Sequence, residues 1–230
     1  FVAVKYLMLP ELNIMPLISV ILAFLIGSIP SGYLLNKYSG HGDIRKVGSG
    51  NIGATNVLRH SGKLLGLLTL LIDIGKGFLV LELLFALMVN AELDSFVWSD
   101  ISIIGSSVVL GHIFSPWLKF KGGKGVATML GVILFISMTC EDGRRCGKFD
   151  FLELESNIFL ISVFSWLMII FFTRYVALGS VISLTIATIY SFFYIPSLFL
   201  FFVLMTLLIT YKHKDNFERI KNNKEHKITF

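Results

Sequence analysis

The sequence predicts an all-α protein that crosses a membrane with about seven transmembrane helices, its N-terminus outside and its C-terminus in the cytoplasm. Composition indicates the membrane: 55% of the 230 residues are hydrophobic and 15% are charged, and the mean hydropathy is +0.78. This apolar content exceeds what the core of a soluble protein of this length needs. The basic residues lie between apolar segments, so membrane topology explains the net charge of +5 better than nucleic-acid binding does.

Seven apolar segments account for the predicted helices. They cover residues 16–35, 64–89, 101–118, 125–139, 158–172, 176–194 and 197–211. Because about 20 apolar helical residues are needed to span the hydrocarbon core, the shorter segments leave five or six full spans as an alternative. We interpret residues 15–230 as one integral membrane domain, and residues 1–14 as an upstream extension or a start-site artefact.

The lysines and arginines predict the orientation, since the cytoplasmic loops of bacterial membrane proteins are enriched in them. Fifteen of the 20 basic residues lie in segments 36–63, 119–125 and 173–175 and in the tail from residue 212. Seven spans place all four segments on the cytoplasmic side of the bacterial inner membrane. The outer side then holds an acidic turn with Glu92 and Asp94, and the loop 140–157, which we interpret as a variable insertion. The two cysteines of that loop, Cys140 and Cys146, have no zinc-ligand spacing, and no metal site is predicted.

The first segment with chemical character is the loop 48–56, GSGNIGATN, which is followed by Arg59. Glycines let backbone N–H groups approach a phosphate closely, small polar side chains add donors, and arginine adds a bidentate charge. We therefore expect an anion site in this loop, with substrate contacts at Gly50, Asn51, Gly53 and Asn56. The alternative is an ordinary loop in which the glycines are turn residues.

The second segment is the loop 120–125, FKGGKG, which leads directly into an apolar span. A lysine among glycines at a helix start combines unpaired N–H groups, the positive helix end and a mobile ammonium. This predicts a second phosphate site, formed by Gly122, Gly123, Lys124 and Gly125. The loop lacks the Ser or Thr of a nucleotide-binding P-loop. The alternative is a topological anchor of lysines at the membrane surface.

The tail and the spans add further candidates. His213 and Asn216 are three residues apart, so a helix would bring both to one ligand, although a solvated His is the alternative. Asp73 and Lys76 lie at membrane depth, where we interpret them as a structural ion pair. His112 either orients the second loop or is a hydrogen-bonded interior residue.

Two anion loops on one membrane face suggest that two phosphate groups are held together. The sequence contains no Ser-His-Asp order, paired catalytic carboxylates or metal cluster, so the chemistry should depend on positioning and charge stabilisation. Acyl transfer from an activated acyl phosphate fits this description, because its leaving group is a stable phosphate.

At these residues the sequence resembles the bacterial acyl-phosphate:glycerol-3-phosphate acyltransferase family of the inner membrane. The shared motifs lie at residues 27–33, 43–56, 73–77, 111–112, 120–128 and 174–176 and in the tail, so that the resemblance extends from about residue 27 to 225. The tail departs from the family at Lys212, Asn223 and Lys224, where Arg, Gly and Thr are usual. This departure makes a role for the adjoining Glu225 a weaker expectation.

The resemblance implies seven transmembrane helices with the N-terminus outside, and it assigns several roles. It makes Ser49 the active-site hydroxyl, Arg59 an essential cation and Lys124 the phosphate-binding lysine. It also implicates His213 and Asn216 in catalysis, and has Thr55 and Ser180 line the site. The implied substrates are glycerol 3-phosphate and acyl phosphate, without a cofactor, and the implied partners are the lipid bilayer and, by functional coupling, the enzyme that forms acyl phosphate.

The predicted reaction is attack of the 1-hydroxyl of glycerol 3-phosphate on the acyl carbonyl, which releases inorganic phosphate and leaves lysophosphatidic acid. The phosphate of the donor, with a pKa of about 6, is able to accept the proton. Covalent catalysis by Ser49 is an alternative, although no activating residue adjoins it in sequence. A transporter of phosphorylated solutes or lipids is the competing function. A thioester-dependent acyltransferase of the H-x-x-x-x-D type is disfavoured because no histidine has an aspartate five residues later.

Overall fold

The computed structural model describes residues 14–90, 98–139 and 157–228, and these form ten α-helices and three short 3₁₀-helices. The α-helices are α1 (Ile14–Gly27), α2 (Ser31–Tyr38), α3 (Ala54–Ser61), α4 (Lys63–Asn90), α5 (Trp98–Ile113), α6 (Val126–Ile136), α7 (Asn157–Thr173), α8 (Val176–Tyr194), α9 (Phe199–Lys212) and α10 (Lys214–Lys221). The 3₁₀-helices are Ile44–Lys46, Pro116–Leu118 and Pro196–Leu198. The all-α prediction is confirmed over these ranges. Residues 1–13, the turn with Glu92 and Asp94, and the loop 140–156 with both cysteines lie outside the described residues.

Each of the seven apolar segments predicted from sequence lies on a helix, but the first is broken. Segment 16–35 forms α1 and α2, which are separated at residues 28–30. Pro30 lies at the N-cap of α2, and a proline has no N–H group with which to continue the hydrogen bonding of α1. The break leaves backbone carbonyls without a partner in the helix, and other side chains bind them: Ser115 Oγ donates to the Ser28 carbonyl at 2.6 Å.

Several helices are long and apolar enough to cross a bilayer. In the described part of the chain, four qualify by length and composition: Leu17–Tyr38, Lys63–Leu87, Trp98–Leu118 and Val176–Tyr194. Pro196–Lys212 and Lys214–Lys221, bent by 52° relative to each other, make a fifth if they are one span. Helix α6 has 11 residues and is about 16 Å long at the usual rise. The helices therefore fit a multi-pass membrane protein, while the number seven and the orientation stay predictions.

The outer surface of α4 is apolar, as expected of a helix that faces lipid. Five of its exposed side chains form a stripe at intervals of four or eight residues: Leu67, Leu71, Leu79, Leu83 and Leu87. The opposite side of the helix carries buried Val80, Leu81 and Leu84 together with Asp73 and Lys76. A helix on the surface of a soluble protein would show polar residues on the exposed face.

Glycines bring α4 and α6 into close backbone contact. A Cβ atom on Gly77 would lie 2.1 Å from the carbonyl oxygen of Thr128, and one on Gly131 would lie 2.0 Å from that of Ile74. Membrane helices pack through such small residues, since lipid removes the hydrophobic drive for their association. The packing fixes the N-terminal end of α6, where Lys124 and Gly125 precede the helix, beside α4.

Candidate active site

A cavity of about 320 Å³ lies where the loops and the tail meet the helices. The loops, α3 and the tail contribute polar residues to its lining: Ser49, Asn51, Thr55, Asn56, Arg59, Lys124, His213, Asn216 and Glu225. The interiors of α4, α6, α7 and α8 contribute mainly apolar residues: Leu70, Ile74, Leu130, Ile133, Val163, Trp166, Leu167 and Leu184. The cavity can therefore accommodate a ligand with an anionic head and an apolar chain.

The structure brings most of the predicted site residues to this cavity, although they come from distant parts of the sequence. All five residues predicted to be catalytic line it, and so do Asn51, Gly53, Thr55, Asn56, His112, Gly125 and Ser180. Gly50, Gly122 and Gly123 are not in the lining. Segments 36–63 and 119–125 and the tail therefore meet at one end of the helix bundle.

Asn56 holds the first loop in shape. Its side-chain amide donates to the carbonyl oxygens of Ile44 at 3.3 Å, Val47 at 3.2 Å and Asn51 at 2.8 Å. Its Oδ1 accepts the N–H of Ser49 at 3.2 Å. The side chain predicted to bind substrate is thus engaged with the loop backbone, including the N–H of Ser49. Gly50 has a positive φ of 69° and shapes the same turn.

The glycine pair of the second loop packs against α5. The N–H groups of Gly122 and Gly123 donate to the carbonyls of Ile113 and His112, each at 3.0 Å. These two N–H groups, which the sequence interpretation took as unpaired, are therefore bound within the protein. The ammonium of Lys124 lies in the cavity lining, and the first N–H groups of α6 beside it have no acceptor within the helix. Gly125, with φ of 87°, caps α6 at the cavity.

The tail forms a hydrogen-bonded network with Lys124. The ammonium of Lys124 donates to Oδ1 of Asn216, and Nδ2 of Asn216 donates to Oε1 of Glu225 at 2.9 Å. Arg219 Nε donates to the other oxygen of Glu225 at 2.6 Å. Glu225, the weaker expectation from sequence, therefore lies in the cavity wall and connects Arg219 to Asn216, which accepts from Lys124. Arg219 had no distinguishing signal in the sequence apart from its place in a basic tail.

The end of the tail crosses beside the cavity. Arg59 Nη2 donates to the carbonyl of His226 at 3.0 Å, and the N–H of Ile228 donates to the carbonyl of Arg174 at 2.9 Å. These contacts tie α3 and the α7–α8 turn to the tail. Arg59 is thereby oriented at the rim of the site.

Burial controls the charges of the site. It lowers the pKa of Lys124 to about 8; Arg219 lowers it further, whereas Glu225 and Asp215 oppose the shift. Burial and the charge of Lys124 lower the pKa of His213 to about 4, so its ring is neutral at pH 7. His213 Nδ1 lies 2.8 Å from the carbonyl of Ile209; since a carbonyl only accepts, the proton sits on Nδ1 and Nε2 is an acceptor. Burial also lowers the pKa of Arg59, which remains a cation.

Beside the cavity lies the intramembrane ion pair predicted from sequence. Asp73 Oδ1 and Lys76 Nζ are 2.9 Å apart and both side chains are buried. The interpretation as an ion pair is confirmed. His112 is buried, its Nδ1 lies 2.8 Å from Lys76 Nζ and its carbonyl accepts the N–H of Gly123. It is therefore a hydrogen-bonded interior residue, and its orienting of the second loop stays a prediction.

Comparison with known proteins identifies close relatives over nearly the whole chain. The glycerol-3-phosphate acyltransferase family model matches residues 17–223. The glycerol-3-phosphate acyltransferase of Bartonella henselae is 40% identical over 90% of this chain and 89% of its own length. That of Pelagibacter ubique is 39% identical over 92% and 96%.

Two solved structures have the same fold. They are crystal structures of PlsY (YgiH), an integral membrane glycerol 3-phosphate acyltransferase. The glycerol 3-phosphate form is 34% identical with a TM-score of 0.76, over 93% of this chain and 96% of that chain. The lysophosphatidic acid form is 33% identical with a TM-score of 0.74, over 93% and 95%.

Proposed function

Because the chain belongs to the glycerol-3-phosphate acyltransferase family, we propose that it transfers a fatty acyl group from acyl phosphate to the 1-hydroxyl of sn-glycerol 3-phosphate. The products are lysophosphatidic acid and inorganic phosphate, and the reaction begins phospholipid synthesis. The observation that carries the proposal is the lining of the cavity, which is cationic at the loops and apolar between the helices. The relatives crystallised with glycerol 3-phosphate and with lysophosphatidic acid support the same substrate and product. Membership of the glycerol-3-phosphate acyltransferase family does not favour a transporter function.

Two cations hold the two phosphate groups in the proposed mechanism. Arg59 at the rim and Lys124 at the start of α6 both line the cavity, and charge-assisted hydrogen bonds from cations to phosphate are strong. The acyl chain lies among the apolar residues of α6, α7 and α8, near Trp166. Ser180 accepts a hydrogen bond from the indole of Trp166 at 3.3 Å and thus fixes one wall of this region.

The acyl transfer needs no metal and no side-chain base. The 1-hydroxyl oxygen bonds to the acyl carbonyl carbon, the bond from that carbon to the phosphate oxygen breaks, and the hydroxyl proton passes to the departing phosphate. The phosphate is a competent base, since its pKa is about 6. Neutral His213 accepts a hydrogen bond at Nε2 and orients the hydroxyl. Ser49, presented by Asn56, positions the substrate at the loop.

The site faces the cytoplasm in this proposal, and the protein resides in the bacterial inner membrane as a multi-pass protein. The charge distribution of the loops supports this orientation. A cytoplasmic site would receive glycerol 3-phosphate directly and acyl phosphate from the enzyme that forms it.

Purified protein provides the test. With acyl phosphate, glycerol 3-phosphate and a metal chelator, we expect release of inorganic phosphate that depends on glycerol 3-phosphate and matches the lysophosphatidic acid formed. Turnover that requires acyl-CoA, acyl carrier protein or Mg²⁺ would refute the proposed donor. Phosphate release without lysophosphatidic acid would refute acyl transfer.

A further inference from the structure

Four polar side chains form a cluster in the interior of the helices, which we call the buried cluster: Ser31, Asp73, Lys76 and His112. Each is 7% exposed or less. Asp73 Oδ1 accepts the hydroxyl of Ser31 at 2.6 Å and the ammonium of Lys76 at 2.9 Å. The mechanism above uses none of these four, although Asp73 and His112 reach the cavity wall.

Lys76 determines how the ring of His112 is oriented. Its ammonium has three donors, and three acceptors surround it: Asp73 Oδ1 at 2.9 Å, the Ile29 carbonyl at 3.1 Å and His112 Nδ1 at 2.8 Å. An ammonium can only donate, so Nδ1 of His112 accepts and the proton of the neutral ring lies on Nε2. A flipped ring would put a carbon atom against the ammonium and lose this bond.

The oriented ring of His112 is in close contact with the second loop. A Cβ atom on Gly123 would lie 2.1 Å from Nε2 of His112, so the ring occupies the space that a side chain at 123 would need. The carbonyl of His112 also accepts the N–H of Gly123 at 3.0 Å. The residue that follows Gly123 is Lys124, and its ammonium reaches the cavity and Asn216.

We propose that the buried cluster is the positioning device for Lys124: the Asp73–Lys76 pair orients His112, and His112 fixes the backbone from which the Lys124 ammonium enters the cavity. This inference rests on the proposed role of Lys124 in holding phosphate. Asp73, Lys76 and His112 are positioning residues in this arrangement.

The energetics of buried ion pairs favour a role beyond stability. Two charges taken out of water lose solvation that their attraction often fails to recover, and apolar isosteres are commonly as stable or more so. The reaction rate, by contrast, is sensitive to the position of a catalytic cation, since a shift of about 1 Å costs roughly 100-fold in rate. An ion pair kept for positioning can therefore be removed with little effect on folding and a large effect on turnover.

The test is a double-mutant cycle, in which the buried cluster and Lys124 are changed separately and together. The variant Asp73→Leu with Lys76→Met removes both charges without leaving either one unpaired. We expect it to insert and to melt near the parent temperature, while kcat/KM for glycerol 3-phosphate falls roughly 10- to 100-fold. In a Lys124→Gln background the same double change should cost less than about threefold, because residues that act through one group are not additive.

Matched controls separate positioning from general loosening. Thr188→Val with Thr206→Val removes a partly buried hydroxyl pair at 2.9 Å between α8 and α9, and neither threonine is in the cavity lining. We expect this variant to keep parental turnover.

If the Asp73–Lys76 variant fails to insert, His112→Asn tests the same inference, since its oxygen still accepts from Lys76 but the side chain no longer reaches Gly123. It should show the same loss and the same non-additivity.

The outcomes distinguish this inference from the proposed function. Parental turnover in the Asp73–Lys76 variant, or in His112→Asn where that variant is used, overturns the inference. Full additivity with Lys124→Gln overturns it too, because the cluster would then act independently of Lys124. Parental turnover in Lys124→Gln alone overturns instead the role of Lys124 in the proposed function.

Discussion

Replacement of Lys124 by glutamine is the most direct perturbation of the proposed phosphate site. Glutamine can still donate to Asn216, so the variant removes a charge and leaves the tail network largely intact. A charge-assisted hydrogen bond made in the transition state is worth about 1.5 to 3 kcal/mol, which corresponds to about 10- to 150-fold in rate. We expect kcat/KM for glycerol 3-phosphate to fall by this factor.

Lys121 supplies the control in the same loop. Its side chain is exposed, whereas Lys124 is partly buried and lines the cavity. Lys121→Gln should therefore cost less than about threefold, the size of an exposed charge contribution. Initial rates of lysophosphatidic acid formation are measured on purified protein, with melting temperatures to verify folding. Similar, mild losses at both lysines would favour the anchor interpretation and remove the second loop from the mechanism.

The remaining predictions concern charge and orientation. Burial lowers the pKa of Lys124 to about 8, and only the ammonium binds phosphate, so kcat/KM should decline as pH rises through about 8; a profile that stays flat to pH 10 would contradict this. Glu225 raises that pKa and Arg219 lowers it, so Glu225→Gln should move the alkaline limb to lower pH and Arg219→Gln to higher pH, and shifts of the same sign would refute the network. For the orientation, Cys140 and Cys146 are first replaced by serine, because they lie in the loop predicted to be outside. Single cysteines are then introduced at the exposed positions Lys46, Lys121 and Lys224. They should resist an impermeant reagent in intact cells but react after lysis, and external labelling would exclude a cytoplasmic site.

Local sequence predicted the helices well because a helix in lipid depends on local properties. A run of apolar residues must satisfy every backbone hydrogen bond within itself, so hydropathy alone locates it. All seven apolar segments lie on helices for this reason. The break at residues 28–30 was missed because hydropathy continues across it, although Pro30 was its signal.

The candidate site was predicted as a set of residues and not as a set of contacts. Glycines, Arg59 and Lys124 have compositional signatures of anion binding, and topology brought their loops to one end of the bundle. The N–H groups of Gly122 and Gly123, expected to be unpaired, bind carbonyls of α5. The Asn56 side chain binds the loop backbone, a contact that the sequence did not predict. Such pairing depends on which carbonyl lies nearby, and composition carries no record of that.

By itself the sequence determined the helical class, the apolar segments and the basic loops, because hydropathy, proline and charge act through solvent and nearest neighbours. Only the tertiary structure decided which polar groups meet. Ser31 meets Asp73 across 42 residues, Lys124 meets Asn216 across 92, and Arg59 meets the carbonyl of His226 across 167. A buried charge has to find a partner where water is absent, and which partner lies within reach is set by how the helices pack.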